Sequence, residues 1–293
     1  MNLIDEIKAS FKEGSTLTKL IYLNLGVFLV IKIAQIFFIL FAIPQGFESL
    51  LRWFAVPASF PELIKKPWTI ITYMFLHEGF IHILFNLLWL FWFGRIFLEY
   101  LDQKKLISVY LLGGITGAVL YIISFNVFPV FRSVVTESVA LGASASVIAV
   151  VIAIASYVPN HTVHLMFIGP VKIKYIGIFI FVVTSILDFS SNTGGKIAHI
   201  GGAIMGFIYT YQFRSGKDIG KWINRLIDQI VTMFKPGKKM KVTHKKPRTD
   251  YEYNMNKAKE QEQINRILEK ISKGGYDSLT KNEKETLFKA SNK

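Results

Sequence analysis

Apolar residues along the chain gather into six long runs: Leu20–Ile43, Phe80–Leu101, Leu106–Phe125, Val139–Val158, Val171–Phe189 and Gly195–Phe213. A helix rises 1.5 Å per residue and a bilayer core is about 30 Å thick, so roughly 20 apolar residues make one crossing. The pattern predicts six spanning helices. Residues 1–19 place Ile4, Ile7 and Phe11 at helical spacing among charges. That suits an interfacial amphipathic helix and lacks the apolar core and cleavage site of a signal peptide. The six-helix core is therefore read as residues 20–213. Beyond it, Trp222, Ile223, Leu226, Ile230 and Phe234 recur at helical spacing, followed by a basic stretch from Lys235 to Arg248. Residues 214–248 read as an amphipathic helix and basic linker, and residues 249–293 as a small helical module. In that module two short helices over Ile264–Ala290 flank Gly274-Gly275, and Ser278–Glu283 supplies a turn and cap for the second.

An even number of spans puts both termini on one side. Lys8, Lys12 and Lys19, Lys104 and Lys105, and the basic tail all fall on that side, which the positive-inside bias makes the cytoplasm. Lys65 and Lys66 are a modest exception, partly balanced by Glu48 and Glu62. They lie in a 36-residue connection, Pro44–Gly79, whose length and richness in Pro and aromatics mark it as functional.

Composition agrees: 52% of the 293 residues are hydrophobic and 25 are Phe, so lipid is the expected solvent and the fold class is an all-α membrane protein. Most of the net charge of +14 lies after Arg214, where it suits anionic lipid rather than nucleic acid. The absence of cysteine excludes disulfides, thiol catalysis and thiolate metal sites.

Polar groups inside a membrane are costly and call for a reason. His82 and Asn86 lie two and six residues into the second run, Ser144 five into the fourth and His199 four into the sixth. All three runs start at the outer face, so these groups fall within about 10 Å of it. His82 and Asn86, four apart, share a helix face. A serine becomes a nucleophile when a histidine takes its proton, and the resulting oxyanion needs fixed donors, a role suited to Asn86 and His82. Around Ser144, the small residues Gly142, Ala143, Ala145 and Ser146 allow a substrate backbone close approach to a helix N-terminus with free amides. Gly202 and Gly206, four apart after His199, form a small-residue face suited to packing on the fourth span.

These residues carry a resemblance. Pro67-Trp68, Thr72–His77, His82 and Asn86 resemble the second-helix signature of rhomboid intramembrane serine proteases, His-x4-His-x3-Asn. Gly142-x-Ser144 is similar to the nucleophile motif of that family, and Ala198-His199 with Gly202 and Gly206 to its histidine helix. The resemblance runs in order from Pro67 to Gly206 and implies a six-helix core in which Ser144 attacks and His199 acts as base, then acid. It implies His82 and Asn86 in an oxyanion hole, a first loop partly embedded in the outer leaflet, and no cofactor or metal. Substrates would be single-pass membrane proteins entering near span five, cut at small residues. The expected setting is a bacterial inner membrane with both termini cytoplasmic and a tail free to bind a cytoplasmic partner. Two positions depart from the family pattern: Ala145 stands where glycine is usual, and Ile148 where many members carry an aromatic.

Other readings compete. His77 and His82 bracket a Glu as a zinc protease would, but five residues place them about 140° apart on a helix, too far for one metal. Two positions beyond Ser144, Ser146 points about 200° away and reads as structural. His77 reads as a loop-edge residue, and Asp188 as a helix-end carboxylate rather than a third triad member. Arg95 and Glu99 read as a structural ion pair, while Lys32, in mid-span, has no evident partner in the sequence. A silent helix-binding relative should lack the serine or histidine. A transporter should show a continuing polar path and paired broken helices, which the sequence does not offer.

Overall fold

The computed structural model describes residues 10–11, 13–166, 168–187, 189–190, 192–234 and 250–291. Much of the 1–19 reading and the whole Lys235–Arg248 linker lie outside them, as does Asp188. The chain divides into two compact units, Met1–Lys235 and Pro236–Lys293.

The first unit is mostly helical, and a helix occupies each of the six apolar runs. Helix α1, Thr16–Leu40, starts where the Ser15 hydroxyl accepts a bond from the Thr18 amide, and the chain turns at Ala42 with φ 56°. The long connection then folds into α2 (Pro44–Phe54), strand β1 (Val56–Pro57), α3 (Phe60–Lys65) and the single turn α4 (Thr69–Thr72). Proline sits in the first turn of α2 and α3, where its missing N–H costs nothing. Glu62 pairs with both Lys65 and Lys66, so the two outlying lysines are locally balanced. Helices α5 (Phe80–Tyr100) and α6 (Gln103–Val127) follow; with α1 they are long and apolar enough to cross a membrane.

The fourth and fifth runs depart from expectation. Val139–Ala140, strand β2, pairs antiparallel with β1, and Gly142 takes φ 130°, which a helix cannot accommodate. Helix α7 therefore runs only over Ser144–Tyr157, and Ser144 is its first residue rather than lying a turn inside. Strands β3 (Thr162–Leu165) and β4 (Gly169–Lys172) form a hairpin that precedes α8, Ile173–Ser185. These two short strand pairs are the non-helical additions to a mostly helical fold. Helix α9, Thr193–Arg214, is capped by Asn192 at φ 48°, whose side chain accepts a bond from the Gly195 amide, and α10 spans Lys221–Phe234.

Helices α6, α7 and α9 make the centre. A Cβ at Gly202 would run into the Ala145 carbonyl oxygen and one at Gly206 into that of Ala149, so α9 lies backbone to backbone on α7. Thr210 Oγ1 donates to the Ala153 carbonyl (2.9 Å) farther along the same seam. Tyr73 Oη donates to the Gly114 carbonyl (2.6 Å), tying the outer connection to α6. On α1, Asn24 bonds the buried Tyr110 hydroxyl, and Lys32 finds its partner in Gln35 Oε1 (2.8 Å), with its ammonium over the Phe28 ring. Arg95 and Glu99 do not pair; with Arg on the N-terminal side the spacing is the weaker orientation, and the guanidinium rests on the Phe91 ring.

In the second unit, α11 (Asp250–Gly274) is longer than a short helix from Ile264 and ends at Gly275, φ 71°. Helix α12, Lys281–Ser291, begins with Thr280 donating its amide to Glu283 Oε2 (2.7 Å), and Lys270 pairs with the same carboxylate (3.0 Å).

Candidate active site

The approach to α7 decides where Ser144 sits. The Gly142 amide donates to the Tyr73 carbonyl (2.9 Å), anchoring the turn to the outer connection. A Cβ on Gly142 would lie 3.0 Å from His82 Cε1 and 3.6 Å from Ser144 Oγ. Thus the imidazole from α5 and the hydroxyl from α7 flank one α-carbon. Both the positive φ and that confinement demand glycine at 142. Gly142 and Ala143 are buried and Ser144 is half-buried. As the first helical residue, Ser144 sits among amides that have no acceptor within the helix.

His199 reaches this layer through α9. A Cβ at Gly117 of α6 would lie 2.7 Å from Ala145 Cβ and 2.8 Å from the Ala198 carbonyl, so the neighbours of Ser144 and His199 meet at one glycine. The methyl of Ala145, the departure from the family pattern, therefore packs toward α6. His199 Nδ1 lies 3.1 Å from the Thr184 carbonyl at the end of α8. A carbonyl only accepts, so Nδ1 carries the proton, and in the neutral ring Nε2 keeps its lone pair. Ile148 is buried.

On α5, Asn86 is 6% exposed, and its buried Nδ2 has no hydrogen-bond partner among the described residues. An amide held so in a low-dielectric site is costly unless something arrives to accept from it. His77 lies in the loop just before α5 and is buried rather than linked to solvent, with its ring 5.3 Å from that of His82 in a T-shaped contact. The non-helical stretch between them folds back, so the angle expected on a continuous helix does not apply. Burial, then the neighbouring His82, push His77 down to about 4. Ser146 Oγ is buried toward α6, near Gly114 and away from Ser144. No cluster of three metal-ligating side chains occurs among the described residues.

Sequence reasoning missed the Thr184 carbonyl and the inward His77. The first has no residue signature, because any residue supplies a carbonyl. The second depends on the loop path.

Comparison with known proteins adds two family matches, the Rhomboid domain at residues 65–216 and a family of unknown function, DUF6576, at residues 248–293. A curated relative, the RHOMBOID-like protein 12, mitochondrial, of Arabidopsis thaliana, is 30% identical over 159 residues, 51% of this chain and 47% of the relative. The chain spans about half the length of that relative.

Proposed function

We propose, starting from the premise that this chain belongs to the rhomboid family and is an integral membrane protein, that it is a serine endopeptidase cutting peptide bonds in or beside transmembrane helices of single-pass substrates. Two observations support the reading: Ser144 Oγ and His82 both approach the α-carbon of Gly142, and His199 turns Nδ1 to the Thr184 carbonyl, which leaves Nε2 as the acceptor. In this mechanism Nε2 takes the Ser144 proton as Oγ attacks the scissile carbonyl. Asn86 Nδ2, His82 and the first amides of α7 donate to the oxyanion. His199 then returns the proton to the leaving amine, and water, activated by the same imidazole, hydrolyses the acyl-enzyme. The Thr184 carbonyl fixes the tautomer, a task that needs no carboxylate. Gly142 and Ala143 border the cleavage point, and Gly202 and Gly206 hold α9 against α7.

The proposed topology is six crossings over residues 20–213 with both termini cytoplasmic, an orientation the Lys and Arg bias favours, in a bacterial inner membrane as the proposed setting. Residues 214–248 then lie at the lipid surface, and residues 249–293 form a module for a cytoplasmic partner.

The test is fluorophosphonate labelling of the full chain in liposomes, together with cleavage of a model transmembrane substrate. Wild type should label and cleave. Ser144→Ala should do neither, losing at least about 10⁴-fold in turnover with unchanged insertion. Asp188→Asn should stay within about tenfold of wild type, where a true triad aspartate would cost about 10⁴. Substantial turnover by Ser144→Ala would end the protease reading.

A further inference from the structure

Far from Ser144, a cleft of about 560 Å³ opens between the first turns of α1 and the last turns of α5, lined by Ser15, Thr18, Tyr22, Phe91, Arg95 and Glu99 among others. Its two charges are unusual. Arg95 and Glu99 are both exposed and lie one helical turn apart; among the described residues they form no ion pair or hydrogen bond, and Arg95 rests on the Phe91 ring. Charged groups at a membrane boundary normally find a counter-charge. Tyr22 also lines a second, almost wholly apolar groove of about 930 Å³ that follows α1 outward past Gly26 and Val30 to Ile31. From Tyr22 to Ile31 the helix climbs about 14 Å, close to the depth of one acyl leaflet.

We infer that these joined clefts hold one phospholipid whose headgroup carries a primary ammonium, with its phosphate on Arg95, its ammonium on Glu99 and an acyl chain along the α1 groove. The charge pattern selects the headgroup. An anionic glycerol headgroup offers Glu99 no cation. A choline headgroup offers a cation that cannot donate a hydrogen bond to the carboxylate. An ethanolamine headgroup supplies both a phosphate acceptor and an N–H donor, a short linker apart, matching one helical turn. Ser15 and Thr18 add hydroxyls beside the phosphate position. The site requires only that the chain sits in a bilayer, and its test does not read proteolysis.

Native mass spectrometry of the full chain, exchanged into micelles containing equal phosphatidylethanolamine, phosphatidylcholine and phosphatidylglycerol, measures retained lipid directly. Wild type should retain the ethanolamine lipid about tenfold over choline, the worth of one charge-assisted hydrogen bond. Glu99→Gln should erase that preference by lowering ethanolamine-lipid retention to the choline level, with choline-lipid retention unchanged. Arg95→Gln should cut retention of both lipids by about tenfold. Gly26→Phe fills open space in the groove and should reduce every lipid alike. Equal retention of the three lipids by wild type, or a preference that survives Glu99→Gln, would overturn the assignment.

Discussion

Where α9 crosses α7, main chain meets main chain, and a single Cβ at Gly202 or Gly206 would strike a carbonyl oxygen. Along α1 the situation reverses: Leu29, Val30 and Ile33 point outward, and a Cβ at Gly26 would meet nothing within 4 Å. In lipid, an outward leucine costs nothing, so apolar burial does not fix a helix's position. Position comes from small residues that allow close approach and from polar bonds that would otherwise go unmade. The helices carrying Ser144 and His199 are located by such contacts. Helix α1 is held mainly by Asn24 and a narrow buried stripe, and it tolerates change.

The harshest way to break this contrast is Gly202→Leu. The side chain cannot be accommodated without parting α7 from α9, so stability should fall by at least about 3 kcal/mol and substrate cleavage should vanish. Near-normal cleavage by a well-folded variant would show that the seam does not position the site. Next comes Asn86→Ala, which leaves the seam intact. Loss of one oxyanion donor should slow cleavage by about 10²–10³ with little change in melting temperature; a stability loss with normal turnover would reassign Asn86 to packing. Acid is a gentler probe. His77 is neutral when folded and titrates near 4, against an ordinary value near 6.5, so it favours the fold above 6.5. As pH falls from 6.5 toward 4 only the unfolded chain takes up that proton, and up to about 3 kcal/mol should be lost. Thermal melts across this window should flatten in His77→Gln; parallel curves would remove the assignment. Smallest of all, Gly26→Ala should stabilise α1 by about 0.5–1 kcal/mol, the helix-propensity difference alone. A clear destabilisation there would mean that α1 too is tightly packed.

The candidate site was legible because it is written in residue types whose presence in an apolar run demands explanation: Ser144, His199, His82 and Asn86. Helix positions were legible for the same reason, since apolar runs have a length set by the bilayer. Helix starts were less so. The run Val139–Val158 is uniformly apolar, and nothing in its hydropathy separates a strand from a helix; only Gly142 hints that the chain must turn before Ser144. The length of α11 escaped because its first half is rich in charged and amide residues and is exposed on every face. Lys32 seemed unpartnered because its acceptor, Gln35, lies on the same helix face, a local bond that an isolated reading of charges overlooks.

One hydrogen bond has a consequence for how this protein can vary. The imidazole of His199 takes its orientation from a main-chain oxygen at residue 184, on a helix whose outer face carries Ile178, Phe179 and Val183 exposed. No side-chain replacement at 184 deletes that oxygen, so the tautomer is insulated from point mutation in a way a carboxylate partner would not be. The insulation holds only while α8 keeps its path. A displacement of about 1 Å in that helix end would lengthen the bond beyond useful geometry, leaving the ring free to turn and exchange its tautomer. The basicity of the site is thereby inherited from the placement of a helix, and its tolerance to mutation and its sensitivity to deformation have the same cause.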